Sequence, residues 1–248
     1  MLSSPQSNQA IDQTVVVGSF QCNCRILVCP KTGHTVLIDP GDEPGKIIQR
    51  LTQLKTDSGL PLQVKYLFHT HAHLDHIGGT REVCEHVRAQ ELLAEIPPTS
   101  PLGTARPALI ALHQEDEFIY QMLKKQGEMF GIAYDEPLPI DHYFSDGETL
   151  EVGAMKFSVL HTPGHSPGGV CIRLHEDSAL GIRESLFSGD TLFKGSVGRT
   201  DLWGADQGLM FKNIKDRIFT LDEDTRVCPG HGPETSVGLE KRKNPFFN

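Results

Sequence analysis

The sequence predicts an α+β fold, because short β-prone apolar runs alternate with helical patterns along the chain. Residues 64–68 and 156–160 are mostly apolar runs of strand length, as expected for strands buried in a sheet. Two further runs, 36–39 and 186–190, each end in an aspartate, so each half of the chain contains a predicted strand with the same ending. A chain of 248 residues is long enough to bury an ample hydrophobic core.

Apolar residues at helical spacing predict three helices, over 44–57, 81–88 and 115–130. In the second of these, Val83 and Val87 share one face. The methionine and aromatic residues of the third are expected as core filler rather than as a cofactor site. His113 comes directly before that helix and is expected to cap it or to support a neighbouring site.

The chain is expected to form one domain over 14–248, preceded by a flexible tail over 1–13. Residues 90–106 are rich in proline and small side chains. No apolar run reaches the about 20 residues that cross a membrane, and the N-terminus lacks the basic start and apolar block of a signal peptide. A cytoplasmic location is therefore expected. There the six cysteines, which show no zinc-finger spacing, would be buried free thiols.

The charge balance argues against one class of partner. The formal net charge is −9, and no stripe of lysine and arginine is present. Because phosphate backbones are bound by basic surfaces, nucleic acid is not expected as a partner. A small-molecule substrate is expected instead, and the oligomeric state is left open.

The densest group of potential metal ligands is the pattern H-x-H-x-D-H formed by His71, His73, Asp75 and His76. Neutral imidazole is the commonest protein ligand of zinc, and carboxylate oxygen also binds it. The group follows a predicted strand and precedes a predicted helix, so it lies in a loop held by rigid elements, where chemistry concentrates. With only 12 histidines in 248 residues, a chance run of this density is improbable.

Three more candidates follow apolar runs further along the chain, namely His165, Asp190 and His231. Each alone would be a weak signal, because a histidine after a Pro-Gly turn is usually a surface residue. Together with the first group they make five histidines and two aspartates. A single zinc takes three or four protein ligands, so the set predicts two metal sites that share a carboxylate.

In this order, the H-x-H-x-D-H group at 71–76, Gly-His at 164–165, Gly-Asp at 189–190 and Gly-His at 230–231 resemble the metallo-β-lactamase-fold hydrolases. The Thr-Pro-Gly-His-Ser-Pro-Gly segment at 162–168, Gly-Arg-Thr-Asp at 198–201 and Asn23-Cys24 resemble its glyoxalase II-like branch, in the short form without a C-terminal helical domain. The resemblance implies a four-layer αβ/βα sandwich, in which two mixed β-sheets lie face to face and helices flank both outer faces. Relative to the family that the chain resembles, residues 90–106 would be an insertion bordering the pocket.

The resemblance also implies a role for each candidate ligand. His71, His73 and His165 would hold one metal ion. Asp75, His76 and His231 would hold a second, and Asp190 would bridge the two. Both aspartates are thereby placed in the catalytic centre. Asp39 would orient the ligand loop by accepting backbone N–H groups. Two divalent ions are implied, zinc first, although iron and manganese suit the same donors.

The implied reaction is hydrolysis of a small thioester, most simply an S-acylglutathione, by a hydroxide that bridges the metals. Lys194, Arg199 and Lys241 are the candidates for binding substrate carboxylates. Three alternatives stay open at this point. A persulfide dioxygenase with one iron resembles the same motifs, a β-lactamase shares the fold, and a metal-stabilised scaffold without activity would need fewer ligands.

Overall fold

Two six-stranded mixed β-sheets lie face to face, and helices cover their outer faces. The computed structural model describes residues 9–57, 59–93 and 108–247. The predicted α+β class and the four-layer sandwich are confirmed. Residues 1–8 of the predicted tail and 94–106 of the predicted insertion lie outside the described residues.

The strands of the first sheet are β1 (Ile11–Val17), β2 (Cys22–Val28), β3 (His34–Ile38), β4 (Gln63–Phe68), β5 (Leu109–His113) and β6 (His142–Phe144). The later strands are β7 (Thr149–Val152), β8 (Met155–His161), β9 (Val170–Leu174), β10 (Ser185–Gly189), β11 (Leu192–Phe193), β12 (Ser196–Val197), β13 (Arg226–Pro229) and β14 (Thr235–Ser236). β11 and β12 pair only with each other, and the other six form the second sheet.

The helices are α1 (Pro44–Gln53), α2 (Leu74–Ile77), α3 (Thr80–Leu93), α4 (Glu117–Gln121), α5 (Leu123–Phe130), α6 (Gln207–Asn213) and α7 (Val237–Lys243). Single turns of tighter or wider helix occupy Gln114–Asp116, Ser178–Leu180 and Ile214–Ile218. In the described part of the chain, no helix is long and apolar enough to cross a membrane.

Strand direction decides where the loops meet. The first sheet has the order β1-β2-β3-β4-β5-β6, and β3 to β6 run parallel. The second has the order β14-β13-β10-β9-β8-β7, in which β10 and β13 are parallel. Parallel neighbours end at the same edge of a sheet, so the segments that follow β3, β4 and β5 emerge together, as do those after β10 and β13.

The main core lies between the two sheets, and a second core lies beneath α1 and α3. Leu27 of β2 points into the first, while Ile26 and Val28 on the same strand point into the second. All three side chains are at most 1% exposed. The strand is therefore apolar on both faces, which explains why it is a continuous hydrophobic run rather than an alternating one.

The element boundaries differ from the predictions in four places. β1 begins at Ile11, so the last three residues of the predicted tail belong to a strand. α3 continues to Leu93, so the start of the predicted insertion is helical. α1 is shorter than predicted because Leu54 is extended. The predicted helix over 115–130 is broken at Met122, where the amide of Gln126 donates to the carbonyl of Ile119 (2.8 Å).

The third predicted helix differs in its packing as well. Ile119 and Leu123 are buried as expected, but Phe118, Met129 and Phe130 are exposed, so the prediction that these three fill the core is wrong. His113 does cap the turn that precedes the helix, since its Nδ1 accepts the N–H of Glu115 at 3.3 Å. All six cysteines are buried and free, as predicted.

Candidate metal centre

Every candidate ligand lies just past the carboxyl end of a strand. The segment 69–76 follows β4, and His165, Asp190 and His231 follow β8, β10 and β13. Because these strand ends meet at one edge of the sandwich, four stretches that are far apart in sequence converge there. The structure thereby brings all seven candidate ligand side chains into one cluster.

The first ligand segment, residues 69–76, changes its backbone conformation along its length. His71 and His73 lie in extended backbone, so alternate side chains point the same way. Asp75 and His76 lie on α2, a single helical turn that begins directly after His73. One short segment therefore presents two pairs of ligands in two directions, where the sequence had suggested only a turn.

Three histidines make up the first half of the cluster. The ligand nitrogens of His71, His73 and His165 all lie within 4.8 Å of one another. His73 Nδ1 is 2.9 Å from His165 Nε2, and their rings are nearly perpendicular at 86°. Edge-on imidazoles with converging nitrogens suit three corners of a tetrahedral site.

The second half consists of Asp75, His76 and His231, whose ligand atoms also lie within 4.8 Å of one another. His231 Nε2 is 3.1 Å from Asp75 Oδ2 and 3.1 Å from His76 Nε2. Asp190 lies between the halves. Its Oδ1 is 3.4 Å from His76 Nε2, and its Oδ2 is 3.6 Å from His165 Nε2. One carboxylate can therefore face both halves.

Two atoms of the cluster fit a bound cation better than they fit the protein alone. His71 Nε2 and Asp190 Oδ1 are buried, and neither has a hydrogen-bond partner among the described residues. A buried polar atom without a partner is costly, so such atoms are rare unless an ion or water satisfies them. The donor set of imidazole and carboxylate is that of a zinc, iron or manganese site.

The outward-facing nitrogens of the histidines are held by the protein. His71 Nδ1 is 3.1 Å from Thr70 Oγ1, and His76 Nδ1 is 3.0 Å from Asp39 Oδ2. His165 Nδ1 is 2.8 Å from the carbonyl oxygen of Arg199. A partner on one ring nitrogen fixes the tautomer and turns the other nitrogen towards the metal.

Asp39 occupies the position expected of a residue that orients the ligand loop. Its two oxygens accept the backbone N–H of Thr70 (2.8 Å) and the hydroxyl of Thr70 (2.7 Å). Its backbone has a φ of 52°, in the left-handed region, which turns the chain sharply after β3.

The charge states of His71, His73 and Asp190 suit metal binding. Burial and the neighbouring imidazoles lower the pKa of His71, and they lower the pKa of His73 to about 3. Both are therefore neutral at pH 7, which is the ligating form. Burial alone would raise the pKa of Asp190, but the imidazoles of His76 and His165 lower it below its usual range, so the carboxylate is ionised.

Two residues that hold the ligand segments were not recognised from the sequence. Asp116 is fully buried and accepts hydrogen bonds from the Ala72 N–H (2.9 Å), the Ser166 hydroxyl (2.8 Å) and the Gly168 N–H (2.6 Å). It therefore ties the first ligand segment to the segment that carries His165. Its signal in the sequence was an acid shortly after a buried strand, the same signal that identified Asp39.

Gln126 is the second unrecognised residue. Its side-chain oxygen accepts the N–H of Leu74 (3.0 Å), and its amide donates to the carbonyl of Ala72 (3.1 Å). The start of α2 is thereby anchored to α5. A glutamine inside an amphipathic helix carries no signal of such a role.

Gly230 shows how closely the cluster is packed. A Cβ at this position would lie 2.6 Å from both Asp190 Oδ1 and His76 Cε1. Any side chain would push two candidate ligands apart, so glycine is required before His231.

A cavity of about 420 Å³ opens on the cluster. Its wall includes five of the candidate ligands and a group of apolar side chains, which are Phe20, Leu74, Met129, Phe130, Leu202 and Trp203. Arg199 and Asp201 line it as well, and they form an ion pair with distances of 2.7 and 2.8 Å.

The three predicted substrate-binding residues do not lie together. Arg199 lines the cavity, but Lys194 and Lys241 do not. Lys194 lies between β11 and β12 and is exposed. Lys241 lies on α7, with its Nζ 4.0 Å from Glu223 Oε1. α7 is held by packing on the outer face of the second sheet, which directs Lys241 away from the cavity.

The chain matches the family model of the metallo-β-lactamase superfamily over residues 17–231. It belongs to this superfamily. The matched region includes all seven candidate ligands, so the centre is that of a metal-binding hydrolase fold.

Three relatives are similar over nearly the whole chain. Hydroxyacylglutathione hydrolase GloC of Haemophilus influenzae is 31% identical, over 95% of this chain and 97% of the relative. The solved structure of TTHA1623 in a di-iron-bound form is 35% identical, with a TM-score of 0.73 and coverage of 94% and 99%. The B3 metallo-β-lactamase BLEG-1 is 30% identical, with a TM-score of 0.76 and coverage of 96% and 99%.

Proposed function

We propose that this protein hydrolyses a small thioester, an S-acylglutathione, with two divalent metal ions. The observation that carries the proposal is the convergence of seven ligand side chains beneath a cavity that is open to a small molecule. The likeness to hydroxyacylglutathione hydrolase GloC supports the choice of substrate class.

In this proposal His71, His73 and His165 hold one ion. Asp75, His76 and His231 hold the other, and Asp190 faces both. When bound, the two ions supply a hydroxide nucleophile at neutral pH and stabilise negative charge on the attacked carbonyl oxygen. Zinc is the ion we expect, and the di-iron form of TTHA1623 makes iron the first alternative to test.

The protein's own residues supply position and environment. The apolar wall of the cavity offers a surface of low polarity beside the candidate ligands. Arg199 offers a positive charge to a carboxylate of the glutathione part, although Asp201 competes for it. A thiolate leaves easily because the pKa of a thiol is about 8.5, so no general acid is required.

The six buried free thiols accord with a reducing compartment, and we propose the cytoplasm as the location. The thiols are packed in the cores and show no disulfide, as in proteins that fold in the presence of glutathione.

The deciding experiment measures thiol release from S-lactoylglutathione together with the metal content of each protein. Wild type is expected to release thiol and to bind two ions per chain. Asp75→Ala is expected to lose the second ion and most of the activity, because Asp75 belongs to only one half of the cluster. Asp135→Ala, which removes an exposed aspartate away from the cavity lining, is the matched control.

Three outcomes would contradict the proposal. Full activity with one ion per chain would refute the two-metal scheme. Absence of thiol release by the metal-loaded wild type would refute thioester hydrolysis, and oxygen consumption with glutathione persulfide would then favour a dioxygenase with one iron. Hydrolysis of a β-lactam in preference to every thioester would favour the activity named for BLEG-1.

A further inference from the structure

We infer that the substrate carries an apolar acyl group, which packs against an aromatic wall formed by Phe20, Met129 and Phe130. This inference rests on the proposed function and specifies its substrate class. It predicts that thioesters with an aliphatic or aromatic acyl group are better substrates than hydroxyacyl thioesters such as the lactoyl compound. The two kinds of substrate differ only in the group that contacts this wall.

The aromatic wall is unusual because it is apolar and exposed at the same time. Phe20 is 40% exposed, Met129 62% and Phe130 55%. Nine large hydrophobic side chains are exposed among the described residues, and four of them, these three and Trp203, line the cavity of about 420 Å³ that opens on the metal centre. Scattered exposed apolar residues need no explanation, but a cluster of them beside a reactive centre marks a binding surface.

The aromatic wall is also preorganised. Phe20 lies in the turn between β1 and β2, whereas Phe130 ends α5. Their rings meet edge to face, with centroids 5.2 Å apart and an interplanar angle of 86°. Such pairs are stabilising in themselves, so two distant segments hold each other in place before a ligand arrives. An apolar group that enters gains contact without having to order the wall.

Few polar groups of the cavity are free to form a hydrogen bond with a hydroxyl on the acyl group. Both polar atoms of Gln126 are already bonded to backbone groups. Arg199 and Asp201 bind each other, and they lie on a different segment from the aromatic wall. Apart from these residues, the polar lining consists of candidate metal ligands and the indole N–H of Trp203, which lies on the same segment as Arg199 and Asp201. The charged glutathione part therefore fits the side of Arg199, and the acyl part fits the aromatic wall.

The expected size of the effect follows from area burial. Each methylene that leaves water contributes a factor of about two to four in affinity, with the upper value for complete burial. Lengthening the acyl group from two to six carbons is therefore expected to raise kcat/KM by about 20-fold to 200-fold until the wall is covered.

The kinetic test compares S-acetyl-, S-butanoyl-, S-hexanoyl- and S-lactoylglutathione on the metal-loaded enzyme. Wild type is expected to prefer butanoyl to lactoyl and hexanoyl to butanoyl. Phe130→Ala is expected to lower the ratio of kcat/KM for the hexanoyl compound to kcat/KM for the acetyl compound about tenfold. Phe118→Ala is the matched control, because Phe118 is 50% exposed on the adjacent α4 but does not line the cavity.

A binding test gives a readout that does not depend on turnover. Trp203 is the only tryptophan in the chain, and it lines the cavity, so its fluorescence reports on occupancy. The thioethers S-methylglutathione and S-hexylglutathione have no carbonyl to hydrolyse. The hexyl compound is expected to bind at least about 30-fold more tightly to wild type, and Phe130→Ala is expected to reduce that difference about tenfold.

The outcomes separate this inference from the proposed function. Cleavage of all four thioesters with lactoyl as the best substrate would overturn the aromatic-wall inference and leave thioester hydrolysis standing. A uniform loss across the series in Phe130→Ala would also overturn it. If none of the thioesters were cleaved, the proposed function would be refuted. Equal binding of the two thioethers would, independently of cleavage, refute the inference that the aromatic wall binds the acyl group.

Discussion

Asp116 provides the sharpest test of how the metal centre is assembled. It is fully buried, and its carboxylate accepts two backbone N–H groups and one hydroxyl, from Ala72, Gly168 and Ser166. The three donors belong to two segments that carry ligands. The Asp116→Ala substitution removes the acceptor and leaves both N–H groups buried without a partner.

The expected loss of unfolding free energy in Asp116→Ala is the net of two opposing contributions. Hydrogen bonds to a charged group contribute about 1.5–3 kcal/mol each, so three bonds could in principle give more than 5 kcal/mol. Burial, however, raises the pKa of Asp116 in spite of its three donors, which means that the bonds do not fully offset the cost of burying the charge. We therefore expect Asp116→Ala to lower the free energy of unfolding by about 2–4 kcal/mol.

Metal binding is expected to weaken as well, since groups that position metal ligands typically affect affinity by about 10-fold to 100-fold. Urea unfolding at pH 7 with and without metal measures the loss of stability, and competition with a chelator measures the loss of metal affinity. Ser166→Ala is the graded control, because it removes only one donor and should cost about 1 kcal/mol.

Asp116→Asn tests the reasoning most directly. It preserves shape, but the amide nitrogen must face one of the three donors, so the variant should be nearly as unstable as Asp116→Ala. If Asp116→Asn kept both the stability and the metal affinity of wild type, the carboxylate would not be what joins the two ligand segments.

The remaining predictions concern pH and substrate binding. Burial lowers the pKa of His69 from 6.5 to about 4, so the unfolded chain takes up a proton below pH 6.5 while the folded chain does not. Through His69 alone, the metal-free protein should therefore lose about 3 kcal/mol of stability as the pH falls from 6.5 to 4. Urea titrations should show a shallower pH slope in His69→Gln, and an unchanged slope would contradict the assignment. Arg199→Ala should raise KM for S-lactoylglutathione about threefold to fivefold and leave metal content unchanged, because only the backbone carbonyl of Arg199 contacts His165. Lys241→Ala should leave KM unchanged, and a rise as large as that of Arg199→Ala would refute the placement of Lys241 outside the cavity.

The fold was predictable because its strands are short, strongly apolar and separated by turns and helices. β3, β4, β8 and β10 appear within one or two residues of the predicted runs, since most of their residues are apolar. β3 and β10 are buried along nearly their whole length, which leaves a continuous hydrophobic signal. The helix over 115–130 was less predictable. Its break at Met122 depends on a contact of Gln126 that exists only once α5 has packed against the ligand segment.

The candidate ligands were predictable for a chemical reason. Few residue types bind metal ions, and the density of histidine in 71–76 is a local property of the sequence. The supporting residues divide into two groups. Asp39 and Asp116 are acids at or shortly after the end of a buried strand, a position that can be recognised, whereas Gln126 is a common residue type whose role depends on the groups that surround it.

The sequence by itself determined the fold class, the set of candidate metal ligands and their order along the chain, because hydrophobic periodicity and ligand chemistry are local. The resemblance also implied which ligands share a half of the cluster. The tertiary structure alone decided that Arg199 reaches the cavity while Lys194 and Lys241 do not, and that Phe20, Met129 and Phe130 face the cavity instead of the core. Those outcomes depend on how distant strand ends and helices pack, and a pattern of neighbouring residues does not encode the direction in which a side chain finally points.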